Sequence, residues 1–175
     1  LQAYREADMG REAEDLSRKL LEENPDDPYV IIGRGQTLVS RGKVNEAVRF
    51  LKDRARSTLD PGGRDLVYMV LGQILLEEER FEEADRVIEE GLSVNPESER
   101  LLFLKASSCE RQSDFTRAEM VFRQLLEKSP EDASVMNYLG YMLVDNNMKL
   151  EEAGKFLEKA VSLDPYNGAY QDSLG

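Results

Sequence analysis

Three sets of residues recur along the chain with a shared period, and this repetition constrains the fold more than any other feature. Alanines recur at steps of 34, 37, 34 and 35 residues, at Ala13, Ala47, Ala84, Ala118 and Ala153. Small residues keep pace at Gly35, Gly72, Ala106, Gly140 and Gly175. Prolines do the same at Pro25, Pro61, Pro96, Pro130 and Pro165. Such self-similarity is typical of repeat architectures, in which each unit stacks on its neighbours.

Each period contains two helical patterns. Tyr68, Leu71, Gly72 and Leu75 are spaced i, i+3, i+4 and i+7, which places them on one helical face. A second apolar face starts at Phe81 and ends before a proline, where helices commonly stop. First helices are therefore predicted near 27–40, 66–78, 99–111, 133–145 and 166–175, and second helices near 11–23, 43–58, 81–94, 115–128 and 150–162. No stretch alternates convincingly with period two, so the predicted fold class is all-α.

The small residues have a mechanical explanation. Gly72 and Ala84 fall where the two helices of one repeat are expected to approach most closely. A larger side chain there would push the helices apart, and overpacking of this kind typically costs about 1–3 kcal/mol. These positions are therefore interpreted as packing residues.

Two irregularities interrupt the period. Three extra residues lie between Ala47 and Gly72, and the sequence Asp60-Pro61-Gly62-Gly63 predicts a longer loop there, because these residue types favour turns. One extra residue is expected near Asn146-Asn147. The chain is thus divided into a partial repeat at 1–27, full repeats at 28–64 (with the longer loop at 60–64), 65–98, 99–132 and 133–167, and the start of another at 168–175, all in a single domain.

The composition argues against several classes of function. Subtracting 35 acidic from 23 basic residues leaves a net charge of −12, which disfavours nucleic acid and anionic membranes as partners. The absence of histidine removes histidine-based catalysis and metal binding, and no apolar run suits a membrane span. The acidic run 77–85 is interpreted as a solvated helix face, and Cys109 as a small buried apolar residue. We expect no catalytic residue, no metal and no cofactor.

The repeated residues resemble the tetratricopeptide repeat family. Its pattern is a bulky residue, Leu-Gly and another bulky residue on the first helix, then Ala, an aromatic or aliphatic, a small residue and Pro on the second. The repeat that fits best does so at every position, with Tyr68, Leu71, Gly72, Leu75, Ala84, Ile88, Gly91 and Pro96. The second repeat departs from the pattern at Arg34 and Arg54, where small or apolar residues are usual. The final residues also resemble a bacterial subgroup of the family.

The resemblance implies a fold and a binding surface. Family members form a right-handed α–α superhelix whose first helices line a concave groove, and most bind peptides or protein surfaces without being enzymes. The implied peptide-binding residues here are Tyr29, Ile32, Gln36, Leu66, Met69, Gln73, Arg100, Phe103, Ser107, Asn137 and Tyr141. Val39, Ser40, Leu76, Glu77, Glu110, Arg111, Ser134, Val144 and Asp145 complete the set, which is nearly neutral. The apolar members could instead be contacts between helices.

Three functions remain open from the sequence. The first is a scaffold that binds a protein or peptide segment in the groove. It is not expected to clamp the acidic tails of chaperones, because Ile32, Met69 and Phe103 stand where basic or amide side chains would be needed. The second is self-association, as a homodimer formed through the unpaired helix at 166–175. The third is a regulatory arm of a larger enzyme or signalling protein, which fits our interpretation of the chain as a fragment. The compartment, bacterial cytoplasm or periplasm, stays undecided.

Overall fold

The computed structural model describes residues 2–57 and 59–174 of the backbone, and side chains from Met9 onward. These residues form ten α-helices and no strand. The helices are α1 (Gln2–Glu23), α2 (Pro28–Ser40), α3 (Val44–Ala55), α4 (Pro61–Glu77), α5 (Phe81–Val94), α6 (Glu99–Arg111), α7 (Phe115–Lys128), α8 (Ala133–Asp145), α9 (Leu150–Leu163) and α10 (Gly168–Leu174). They alternate as first and second helices in the predicted order.

The chain divides into two compact units, Leu1–Leu101 and Leu102–Gly175, and the boundary falls within α6. In the first unit, each helix from α1 to α5 packs on the next, and α2 also packs on α4. In the second unit, α7 packs on α8, α8 on α9, and α10 on both α8 and α9. Contacts between sequence neighbours therefore dominate each unit, as expected for stacked helical hairpins.

The recurring small residues lie at the crossings of paired helices, as predicted. Ala47, Ala84, Ala118 and Ala153 are all 0% exposed. A Cβ atom added at Gly140 would lie 2.8 Å from Leu157 Cγ and 3.1 Å from the carbonyl oxygen of Ala153. The absence of a side chain at Gly140 is what lets α8 and α9 meet at this distance.

One predicted boundary is wrong. The segment 60–64 was expected to be a loop, but α4 begins at Pro61. The carboxylate of Asp60 caps this helix by accepting a hydrogen bond of 2.7 Å from the Gly63 amide, and Pro61 has no amide hydrogen to leave unsatisfied. Residue types that favour turns therefore start a helix here, and α4 begins about one turn before the predicted position at residue 66. Asp27 and Ser98 cap α2 and α6 in a similar way, by accepting hydrogen bonds from the amides of Tyr29 and Leu101.

The turn inside each repeat has a common form. Gly42, Glu79, Ser113 and Asn147 each lie two residues beyond the end of a first helix and have φ angles of 72°, 57°, 61° and 53°. The following amide donates to a carbonyl in the last helical turn, as Lys43 does to Leu38 at 2.9 Å. In the fifth repeat this turn is unchanged, and the extra residue comes just after it. This position is next to Asn146-Asn147, near which the extra residue was expected, and Lys149, which precedes α9, has a φ of 44°.

The helix α1 is held mainly by polar contacts. Of its described side chains, Ser17 alone is buried. The Glu14 carboxylate accepts a hydrogen bond of 2.7 Å from Lys43 Nζ. It also lies 3.7 Å from a guanidinium nitrogen of Arg34 and of Arg41. Arg34, which departs from the family pattern, also donates to Ser17 Oγ at 3.2 Å. Arg34 therefore attaches α2 to α1 through polar contacts at a position where the family usually has a small or apolar residue.

Candidate protein-binding surface

The first unit brings six of the predicted binding residues onto two neighbouring helices, α2 and α4. Tyr29 is 71% exposed, which leaves most of its ring available to a partner. Gln36 and Gln73 are also exposed, whereas Ile32, Leu66 and Met69 are half-buried. The half-buried residues serve both as helix contacts and as exposed apolar surface. Half-burial is compatible both with helix contacts and with a binding surface, so the assignment of these residues to peptide binding stays a prediction.

The second unit places four predicted residues on α6 and α8, and they differ sharply in accessibility. Tyr141 is 50% exposed, and Ser107 is half-buried. Phe103 is half-buried because its ring centroid lies 5.6 Å from that of Phe122 and 4.9 Å from that of Tyr138. Phe103 is thus partly a core residue. Its replacement would disturb packing as well as any binding surface.

Asn137 occupies an unusual place on α8. It is only 9% exposed, and its Oδ1 atom is buried without a hydrogen-bond partner among the described residues. Buried amide oxygens normally accept a hydrogen bond, and leaving one unmade typically costs about 1–3 kcal/mol. The assignment of Asn137 to peptide binding stays a prediction, and within the described part of the chain its Oδ1 lacks a donor.

The remaining predicted positions are mixed. Leu76 is 3% exposed, so it belongs to the core and lines no surface, contrary to the sequence-based expectation. Its place on the inner side of α4 explains the difference, because neighbouring helices cover it. Arg100 is exposed near the start of α6. Val144 is 44% exposed and adds apolar surface next to Tyr141.

One relevant residue was missed from the sequence. Tyr138 is 47% exposed, and its ring stands edge-on to Phe103. It lies between the predicted positions of α8 and was assigned to neither the core nor the surface. The pattern Asn137-Tyr138 followed by Tyr141 is an aromatic spacing of three, which places both rings near one side of a helix.

The electrostatics of the second unit centre on two carboxylates. Glu110 on α6 is half-buried, and this desolvation raises its pKa; the charge of Asp145 on α8 raises it further, while Arg111 opposes the rise. Among the described residues, neither carboxylate takes part in an ion pair. By contrast, Glu90 forms an ion pair with Arg56 at 2.6 Å, and Glu119 forms one with Arg123 at 2.7 Å.

Other candidate chemistry is limited. Cys109 is buried, as predicted. Over the described residues, no group of three or more acidic or cysteine side chains is placed to hold a metal ion. In the same part of the chain, no helix combines the length and apolar character needed to cross a membrane.

Comparison with known proteins identifies the repeats. A family model described as tetratricopeptide repeat matches residues 69–119 and 110–168, which together make up more than half of the chain. The chain belongs to the tetratricopeptide repeat family. The family prediction and the predicted all-α solenoid fold are therefore confirmed. Proteins of this family are generally scaffolds for protein–protein interaction rather than enzymes.

A curated relative supports this assignment. A TPR repeat-containing protein of Pseudomonas aeruginosa is 30% identical over 95% of this chain. The chain spans only 29% of the length of that relative. The match is to a bacterial protein, in agreement with the predicted bacterial subgroup.

Two solved structures show the same fold. A thermophilic TPR protein of Thermus thermophilus is 24% identical, with a TM-score of 0.66, covering 99% of this chain and 94% of its own. YrrB, a TPR protein with an unusual peptide-binding site, is 17% identical, with a TM-score of 0.64, covering 98% of this chain and 87% of its own. At these identities the similarity concerns the fold.

Proposed function

We propose that this protein is an interaction scaffold that binds a segment of another protein along the exposed faces of its first helices. The observation that carries the proposal is that each unit leaves aromatic or apolar side chains accessible at predicted positions of its first helices. Tyr29 in the first unit and Tyr141 and Val144 in the second are 71%, 50% and 44% exposed. Tyr141 and Val144 lie three residues apart on α8, and exposed apolar side chains that lie together commonly mark binding surfaces.

The chemistry of these faces suits a peptide. Aromatic rings give large contact area with few rotatable bonds, which makes tyrosine common among residues that dominate binding. The exposed amides of Gln36 and Gln73 can both donate to and accept from a peptide backbone. The family's role as a scaffold, and the peptide-binding site of the similar protein YrrB, support the same proposal.

The proposal can be tested with variants that spare the core. Tyr141→Ala combined with Val144→Ala removes two exposed side chains from α8, and peptide-array binding is expected to fall at least about tenfold, or about 1.4 kcal/mol. Met120 on the second helix α7 is 60% exposed, so Met120→Ala provides a matched control that should bind normally. Unchanged binding in the double variant, with circular dichroism showing an intact fold, would refute the assignment of this face.

Self-association is a second candidate. None of the described residues of α10 is buried, and Leu174 is 45% exposed. A second copy could cover this helix. Analytical ultracentrifugation should then show a dimer that Leu174→Glu converts to a monomer, and a monomer at millimolar concentration for the unmodified chain would exclude this candidate.

A further inference from the structure

We infer that the second unit selects a cationic segment, one that carries lysine or arginine beside an apolar residue. The surface concerned, the α6–α8 face, consists of Glu110, Asn137, Tyr138, Tyr141, Val144 and Asp145. The inference rests on the proposed function and gives it a partner chemistry.

The carboxylate pair supplies the first argument. The edge-on contact between Phe103 of α6 and Tyr138 of α8 places these two helices side by side, and Glu110 and Asp145 each lie seven residues further along. Glu110 is half-buried, the charge of Asp145 acts on it, and neither acid has an ion pair within the described part of the chain. Arg111 offsets part of this negative charge, but the three groups together still carry one net negative charge. A like-charge pair in a partly desolvated place is unfavourable by itself, and an arriving cation would relieve it.

The aromatic residues supply the second argument. Tyr141 precedes Asp145 by four residues, so one helical turn separates a half-exposed ring from the carboxylate. Tyrosine faces attract ammonium and guanidinium groups, and the aliphatic stems of lysine and arginine pack on apolar surface such as Val144. Tyr141 and Asp145 therefore suit the cationic group of a long basic side chain, and Val144 suits its aliphatic stem.

Asn137 supplies an independent argument. It precedes Tyr141 by four residues, which places Asn137, Tyr141 and Asp145 on one stripe of α8. Among the described residues its buried Oδ1 lacks a donor, and the carboxylates at the other end of the stripe are acceptors as well. A partner rich in N–H donors complements this run of acceptors, whereas an acidic segment would bring more acceptors and more negative charge.

The test uses three labelled dodecapeptides that alternate leucine with lysine, glutamine or glutamate, with binding followed by fluorescence anisotropy. The lysine peptide is expected to bind about tenfold more tightly than the glutamine peptide. Glu110→Gln combined with Asp145→Asn should reduce this preference to about twofold or less. The control is Glu127→Gln combined with Glu158→Gln, two exposed positions on the second helices α7 and α9, which changes the net charge equally and should keep the preference.

Each outcome decides the matter. The inference would be overturned if the Glu110 and Asp145 variant kept the preference for the lysine peptide. It would also be overturned if the control variant lost this preference equally, because the net charge of the whole chain would then explain the preference. If all three peptides bind equally and Tyr141→Ala weakens them all, the scaffold function stands and the cationic selectivity fails. If none binds, both fail.

Stability gives a second measurement that separates a binding role from a structural one. Glu110→Gln removes the half-buried charge that faces Asp145, so the urea midpoint of unfolding should rise while lysine-peptide binding weakens. A fall in the urea midpoint would assign Glu110 a structural role and overturn the inference.

Discussion

At the residue scale, the left-handed turn inside each repeat shows how one backbone requirement is met by different side chains. The turn uses glycine in one repeat, but Glu79, Ser113 and Asn147 in the others. A residue with a Cβ atom typically pays about 1–2 kcal/mol to adopt the left-handed region, whereas glycine adopts it freely. The hydrogen bonds of the turn and the packing of the paired helices offset that cost.

Glycine at the non-glycine turn positions is therefore expected to stabilise the protein. Glu79→Gly and Ser113→Gly should each raise the free energy of unfolding by about 0.5–1 kcal/mol, because relief of strain exceeds the entropy gained by the unfolded chain. Gly42→Ala should lower it by about 1 kcal/mol for the opposite reason. Urea denaturation measures all three, and a loss of stability in both glycine variants would contradict the strain argument.

Tyr68 provides a second residue-scale prediction, which concerns pH. Its burial, followed by its hydrogen bond to Glu90 at 2.9 Å, raises the pKa of Tyr68 from 10.0 to about 12. Between these values the unfolded chain has lost the phenolic proton and the folded chain has kept it. The contribution of Tyr68 to stability is therefore complete below pH 10.0 and is lost as the pH rises toward about 12.

Tyr68→Phe isolates this effect, because it keeps the ring and removes the titrating hydroxyl. The variant should be less stable than the unmodified chain at neutral pH, by about 1 kcal/mol, and this difference should decline as the pH rises from 10.0 toward about 12. Denaturation curves at several pH values provide the measurement. A difference that stays constant up to about pH 12 would show that the hydroxyl does not titrate as described.

At the element scale, helix pairs are fixed by the few places where their backbones come close. Gly140 and Gly154 illustrate the contrast, since both are helical glycines in the second unit. A Cβ at Gly140 would collide with Leu157 at 2.8 Å, while one at Gly154 would meet nothing within 4 Å. Leu157 and the Ala153 carbonyl belong to the helix that α8 packs against, so relief requires the Leu157 side chain to move and the Ala153 backbone to give way slightly.

Alanine substitutions at these two positions should have opposite effects. Gly140→Ala is expected to lower the free energy of unfolding by about 1–3 kcal/mol through overpacking. Gly154→Ala should raise it by about 0.5–1 kcal/mol, because alanine favours a helix and has free space there. Thermal and urea denaturation provide the comparison, and equal effects would show that space at the crossing does not govern the pairing.

At the scale of the whole molecule, the described parts of α1 and α10 bury fewer side chains than the helices between them. The described part of α10 buries no residue, and α1 depends on the cluster around Glu14. The hydrogen bond from Lys43 lowers the pKa of Glu14, so its contribution is present above the ordinary value of 4.5 and is lost as acid protonates it. Repeat proteins commonly open from their ends in this way.

Hydrogen exchange followed by mass spectrometry should reveal this gradient. At neutral pH, α10 is expected to show the least protection, while α4, α5, α8 and α9 show the most. Below pH 4.5, protection of α1 should fall before that of α3, and Glu14→Gln should show low α1 protection at every pH. Uniform protection across all helices would contradict the polar attachment of α1.

The sequence by itself determined the helices, their order and the residues at their crossings. Local signals carry this information, because an apolar stripe or a small residue every 34–37 positions has the same meaning in any repeat. The tertiary structure alone decided which surface residues are free. It placed Leu76 in the core, set Phe103 edge-on to both Phe122 and Tyr138, and left the half-buried Glu110 under the charge of Asp145. These outcomes depend on which atoms of neighbouring helices meet, and no spacing along the chain encodes that distance.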